Sequence, residues 1–223
     1  MKRWRWIKEN PVSFIDMPKV NNGRCRYLSN QEYASLFKAL DDAPEPWLKS
    51  VIIIALNTGL RLRNIIYMRW SWVNMEDRLI TISGEYMKNS QNLGLPLTQE
   101  AYDTLEELGN VRRVDTDLVF HEDGEAVYPV KLQRAFKGVC TAAKLTDFRF
   151  HDLRHTYASY LRQRGIDLHT ISVLLSHRDM RMSARYAHLS VESLRDAVAV
   201  LDRKRLQFGD IGKEKGVTNS VTP

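Results

Sequence analysis

His151-Asp152-Leu153-Arg154-His155-Thr156-Tyr157-Ala158-Ser159 is the stretch on which the reading of this chain turns. The spacing of its apolar positions predicts a helix over 151–164, ended by Gly165. His151 and Arg154 are three residues apart, so an imidazole and a guanidinium share one helical face. A ring that can carry a proton, beside a fork of fixed N–H donors, suits attack on a phosphate. Helices also carry His-x-x-Arg on a solvated face, so the pair acquires meaning only from its surroundings.

Outward from this segment, helices dominate. Ser29-Asn-Gln-Glu32 is a capping box, and Tyr33, Leu36, Phe37 and Leu40 follow at helical spacing. A helix from Trp47 to Asn57 is apolar nearly all round, which predicts burial, and Gly59 stops it. A third is predicted over Arg63–Arg69. Leu79-Ile-Thr-Ile82 alternates as a strand does. Further strands are expected near Glu85–Lys88 and Leu93–Leu97, joined by a turn at Asn89–Gly94. Thr98 caps a helix of about ten residues by the N-cap rule. Val130–Ala143 reads as another helix. Asp167 caps one that runs through Leu175, and Ser190–Arg205 is the last. The fold class is mainly α with a small antiparallel β-sheet (α+β). Residues 1–27, with Pro11, Pro18 and the Asn21-Asn22-Gly23 turn, read as a linker. Trp4, Trp6 and Phe14 are its apolar anchors. Residues 28–206 form the domain, and 207–223 are expected to be a disordered tail.

Composition narrows the function classes. Of 223 residues, 43% are hydrophobic and 27% charged, the balance of a soluble globular domain. The longest apolar run, Val51–Leu56, is far short of a membrane span. The basic N-terminus has no apolar core behind it, which argues against a signal peptide. Cys25 and Cys140 lack metal spacing and read as free thiols in a reducing cytoplasm. A net charge of +6 is compatible with a polyanionic partner.

Four further segments carry candidate chemistry. Thr58-Gly59-Leu60-Arg61 places an arginine at an element boundary, either as a held phosphate ligand or as a cap on helix carbonyls. Lys88 lies at the edge of the expected hairpin turn, as a solvated lysine or as a general acid. His177 ends the Leu174-Leu175-Ser176-His177 run, where the helix dipole alone could account for it. Tyr186, in Arg185-Tyr186-Ala187-His188, is either a buried structural tyrosine or a nucleophile, which needs an exposed hydroxyl and cations nearby to stabilise its phenolate.

In this order, Arg61, Tyr86-Met87-Lys88-Asn89, His151-x-x-Arg154, Leu174-Leu175-Ser176-His177 and Arg185-Tyr186 resemble the tyrosine recombinase family (phage-type integrases). The match covers roughly residues 25–205, and five segments agree in order and spacing. It implies the DNA breaking-rejoining enzyme fold. It also implies site-specific strand exchange, with Tyr186 attacking the scissile phosphorus to give a 3′-phosphotyrosyl link. Arg61, Arg154 and His177 would donate to the non-bridging oxygens, each fixed donor worth about 3–4 kcal/mol. Lys88 would protonate the leaving 5′-oxygen. His151 would help deprotonate Tyr186, whose class has an ordinary pKa of about 10. No metal, ATP or other cofactor is implied, since the arginines supply the charge. The partner implied is double-stranded DNA, with a cytoplasmic, DNA-associated location. The chain would be a monomer when free and a homotetramer on synapsed DNA, docked through the Ser190–Arg205 helix. A type IB topoisomerase-like relaxation and a non-catalytic DNA-binding remnant of a mobile element remain alternatives.

The chain departs from the family pattern in places. The position three after the first arginine is usually acidic and here is Asn64. The residue before the last-box histidine is usually glycine and here is Ser176. Members usually carry a core-binding domain ahead of the catalytic one. Here residues 1–27 look like its linker remnant, from a chain cut at the linker or a shortened gene product. His155 reads as a structural histidine bonded to a neighbouring backbone, and His188 likewise as structural.

Overall fold

A computed structural model describes residues 26–88 and 90–177, together with Met182, Ser183 and Tyr186. The expectations for Trp4, Trp6, Phe14, the Ser190–Arg205 helix and the 207–223 tail lie outside the described residues.

Helix α1 spans Asn30–Asp41 and opens on the expected capping box. The Ser29 hydroxyl accepts from the Glu32 N–H at 3.3 Å, and the Glu32 carboxylate accepts from the Ser29 N–H at 2.9 Å. Helix α2, Leu48–Thr58, is the axis of the core: Leu48, Val51, Ile52 and Ile54 are fully buried. It packs against α4 (Gln99–Asn110) and α6 (Phe150–Gln163) on different sides, which is why its sequence is apolar nearly all round. Gly59 ends it with φ +62.

Helix α3 covers only Leu62–Ile66, shorter than the predicted Arg63–Arg69. The chain leaves the helix because its next backbone groups pair elsewhere. The Trp70 N–H donates to the Asp117 carbonyl at 2.8 Å, and Val119 N–H to the Met68 carbonyl at 2.9 Å. Arg69 bridges Leu118 as an isolated strand pair.

A three-stranded antiparallel sheet follows, β1 (Val73–Asn74), β2 (Leu79–Ile82) and β3 (Leu93–Pro96), in that order. Ile80 faces Leu95 and Ile82 faces Leu93, so one face of both strands enters the core. The predicted strand at Glu85–Lys88 does not form, because Gly84–Tyr86 is a 3₁₀ turn. The Gly84 N–H is taken by the Asn92 side chain at 2.8 Å. A Cβ at Gly84 would meet the Ser90 carbonyl oxygen at 2.6 Å, so the ten-residue connection folds tightly on itself.

A second hairpin, β4 (His121–Glu122) with β5 (Glu125–Ala126), was not expected. Asp123 and Gly124 form its turn with φ of +50 and +89. Asp-Gly is a strong signal for a two-residue hairpin, but two-residue strands are too short to show alternation. Helix α5 (Pro129–Ala142) and α7 (Leu168–Leu174) match expectation. The Asp167 carboxylate caps α7 by accepting from the Thr170 N–H at 2.9 Å. No described helix is long and apolar enough to cross a membrane. Besides the main core around α2, a small second cluster joins Ala158, Ile171, Leu175 and Tyr186.

Candidate active site

The site forms where the ends of α2 and α7 converge on the first turns of α6. Arg154 sits on α6 and is only 5% exposed. One guanidinium nitrogen donates to the Gly59 carbonyl at 2.7 Å, just past α2, and another donates to the Leu175 carbonyl just past α7. The fork therefore ties three elements together through backbone oxygens that helix ends leave without intrahelical partners. Burial pushes its pKa down to about 9, and the charge of Arg61 pushes in the same direction, while the Tyr186 hydroxyl opposes them. Arg154 is thus a cation held in poor solvent, close enough to Arg61 and Tyr186 to feel both.

Arg61 occupies the N-cap position of α3 in extended backbone conformation. Its carbonyl accepts from the Asn64 and Ile65 N–H groups at 2.8 and 3.2 Å, which fixes where its side chain starts. That side chain is half-buried, and desolvation lowers its pKa. It lines a cleft of about 580 Å³ with Arg63, Arg69, Asn64 and Lys88. Lys88 is exposed and lies on the β2–β3 connection. Arg61 is the link between this cleft and the buried Arg154.

Tyr186 is 1% exposed, not the exposed tyrosine expected of a nucleophile, because its ring packs on Ala158, Ile171 and Leu175. Its hydroxyl lies 2.6 Å from His155 Nδ1. Its N–H donates to the Ser183 carbonyl at 3.0 Å, and Ser183 Oγ lies 2.8 Å from His177 Nδ1. Ser183, fully buried, thereby couples the placement of His177 to that of Tyr186. His151 is exposed at the start of α6 and meets the His155 ring edge-on, centroids 5.1 Å apart. Two arginines, a lysine, three imidazoles and a tyrosine are linked in one continuous neighbourhood. Such a set can neutralise an anion, donate to its oxygens and offer a hydroxyl for attack.

Residues 26–193 match the phage integrase family. The chain belongs to that family. It is 32% identical over 210 residues to the integrase of Salmonella phage P22, covering 90% of this chain and 53% of that protein. It is 26% identical over 205 residues to a shufflon-specific DNA recombinase of Escherichia coli, covering 92% of this chain and 50% of that protein. The chain therefore spans about half the length of these two relatives. Among solved structures, a Tn1549 transposon integrase in complex with circular intermediate DNA superposes with a TM-score of 0.68 at 20% identity. That match covers 80% of this chain and 67% of the other. The catalytic domain of bacteriophage HP1 integrase gives 0.59 at 23% identity, covering 78% of this chain and 93% of the other. These likenesses establish the integrase catalytic-domain fold, mainly helical with small antiparallel sheets, as expected from the sequence.

Of the six residues singled out in the sequence, Arg154 and Tyr186 are both held by α6 and the end of α7. His177 is tied to Tyr186 through Ser183, Arg61 and Lys88 line one cleft, and His151 lies at the start of α6. The structure supplies contacts or conformations at three positions noted in the sequence. His155, expected to be a structural histidine bonded to a neighbouring backbone, has its Nδ1 2.6 Å from the Tyr186 hydroxyl. No spacing rule separates it from a structural histidine; only the three-dimensional return of Tyr186 to α6 does. Asn64 donates to the Tyr86 carbonyl at 3.1 Å. It thereby holds the connection that carries Lys88. Ser176 has φ +49, which accounts for glycine being usual there, since that region disfavours a Cβ.

Proposed function

We propose that this chain is the catalytic part of a site-specific DNA recombinase that cuts and rejoins duplex DNA through a covalent tyrosyl intermediate. The observation that carries the reading is the Tyr186 hydroxyl, held on the same two helices as Arg154 and within the electrostatic reach of that buried cation. A buried arginine with a lowered pKa gains most from an anion that replaces its lost hydration. A phosphodiester bridging Arg61 and Arg154 would be that anion, and the same two charges would stabilise the pentacoordinate transition state.

The roles follow from charge. Tyr186 is the nucleophile, forming the bond to phosphorus. The two arginines and His177 donate to the non-bridging oxygens, with His177 oriented by Ser183. Lys88 gives a proton to the departing 5′-oxygen. His151, exposed at the start of α6 with its ring edge-on to His155, helps the deprotonation of Tyr186. The link to tyrosine keeps the phosphoester energy for rejoining, so neither ATP nor a metal enters the scheme. Strand exchange needs two duplexes and several active sites at once, which favours assembly as a tetramer on paired DNA from a free monomer. The names of the relatives, an integrase of a phage and a DNA recombinase, support integration and recombination of a phage or other mobile element as the biological setting.

The test uses nicked duplexes with a randomised core, in which loss of a short fragment traps the covalent intermediate. The expected result is a protein–DNA adduct that withstands denaturation and is absent in Tyr186→Phe. Duplex binding at low salt with no adduct in any sequence pool would reject the enzymatic reading and leave a DNA-binding remnant. Relaxation of supercoils without exchange between two sites would point to topoisomerase-like action instead.

A further inference from the structure

We infer that His155, not only the His-x-x-Arg histidine, is a catalytic residue, and that it accepts the Tyr186 proton during strand cleavage. The inference rests on the proposed recombinase reading and deepens it. His155 is buried and its Nδ1 lies 2.6 Å from the Tyr186 oxygen, the atom that would bond to phosphorus. That distance is within the hydrogen-bond reach a general base requires. The two rings lie 5.9 Å apart, centroid to centroid, and tilted by 50°. The Tyr186 ring is fixed by Ala158 on α6 and by Ile171 and Leu175 at α7. His155 sits on the same α6 turn as Arg154. The hydroxyl therefore has a proton acceptor within hydrogen-bond distance on the helix it is docked against, one residue along from Arg154.

With the imidazole proton on Nε2, Nδ1 accepts from the Tyr186 O–H. The Tyr186 O–H bond breaks, its proton moves to His155 Nδ1, and the phenolic oxygen forms a bond to phosphorus. The bond from phosphorus to the 5′-oxygen breaks, and that oxygen takes a proton from Lys88. His155 ends as imidazolium and Lys88 as neutral amine. Rejoining runs the same transfers backwards, with the incoming 5′-hydroxyl returning its proton to Lys88 and His155 returning its own to the tyrosine.

Three substitutions in the full chain test this on nicked duplexes with a randomised core: His155→Ala, His155→Asn and 3,5-difluorotyrosine in place of Tyr186. Asparagine keeps a polar group near the Nδ1 position but cannot take a proton. Both His155 variants should form adduct about 10²-fold or more slowly than the parent, the usual worth of a positioned base. The more acidic fluorinated phenol should recover roughly tenfold or more of that loss in His155→Asn, as expected of Brønsted behaviour. A purely structural histidine would give no such recovery. Nitrogen-15 NMR of the DNA-free protein should find His155 Nδ1 without a proton. The inference is overturned by adduct formation at the parent rate or faster in either His155 variant. It is equally overturned by a lack of recovery with the fluorinated tyrosine, or by a proton on Nδ1. Absence of adduct in the parent chain itself would instead reject the recombinase reading, and this step with it.

Discussion

The Asn64 side-chain amide donates to the Tyr86 carbonyl, 3.1 Å away, and its nitrogen also lies 3.5 Å from Met87 Sδ. This pins the β2–β3 connection to α3 immediately ahead of Lys88. A carboxylate, usual at this position in the family, has no proton to donate and would face a carbonyl oxygen. Asn64→Asp is therefore expected to destabilise the fold by about 1–3 kcal/mol, the cost of a buried polar group left unpaired. It should also slow adduct formation by loosening Lys88. Urea unfolding gives the first effect and suicide-substrate kinetics the second. Unchanged stability would mean that the connection is held elsewhere.

Gly59 is the most constrained position near the site. Its φ is +62, and a Cβ there would meet Tyr157 Cδ1 at 2.5 Å and Leu175 Cδ2 at 2.8 Å. Its carbonyl also receives Arg154. Gly59→Ala combines left-handed strain of about 1–2 kcal/mol with overpacking of about 1–3 kcal/mol. A loss of at least 2 kcal/mol in denaturant unfolding is expected, together with weaker binding of the scissile phosphate as Arg154 shifts.

At Ser176 the comparison of two variants isolates the backbone. Glycine and alanine both remove the hydroxyl, but only glycine is at ease at φ +49. Ser176→Gly should be about 1 kcal/mol more stable than Ser176→Ala, read as a difference in Tm between the two. Equal stability would show that the left-handed conformation relaxes when the hydroxyl is lost.

Alkaline stability should depend on Cys140. Burial pushes this thiol from an ordinary 9.0 up to about 12. Above pH 9 the unfolded chain releases the proton while the folded chain keeps it, so the unfolded state is favoured as pH rises. The contribution is intact below pH 9 and lost progressively toward pH 12. Cys140→Ala should flatten the fall of unfolding free energy over that interval by at most about 1.4 kcal/mol per pH unit, one proton's worth. An unchanged slope would place the thiol in contact with water.

Local sequence was enough for much of the fold. Ser29 and Glu32 form their box within four residues, and Asp167 caps α7 by the same short-range logic. The all-round apolar character of Leu48–Thr58 announced a central helix, because burial on every side leaves no polar stripe. Failures fell where distant backbone competes. Trp70 and Val119 pair with partners some fifty residues away, which shortens α3, and Asn92 takes the Gly84 N–H and prevents a strand. Of the site, the residue types and their order could be read in the string, since phosphate chemistry needs forked cations, a proton donor and a hydroxyl.

What each member touches required the folded chain. His155 and Tyr186 are 31 residues apart, Arg154 and Gly59 are 95 apart, and no periodicity encodes either contact. Sequence alone determined the helical scaffold and the family, and named the residue types proposed for the site, because those depend on local geometry and residue chemistry. Tertiary structure alone decided that Arg154 is buried between two helix ends and that His155, rather than a bystander, faces the tyrosine. Those outcomes depend on which surfaces meet once the core closes, and closure brings together groups that share no local signal.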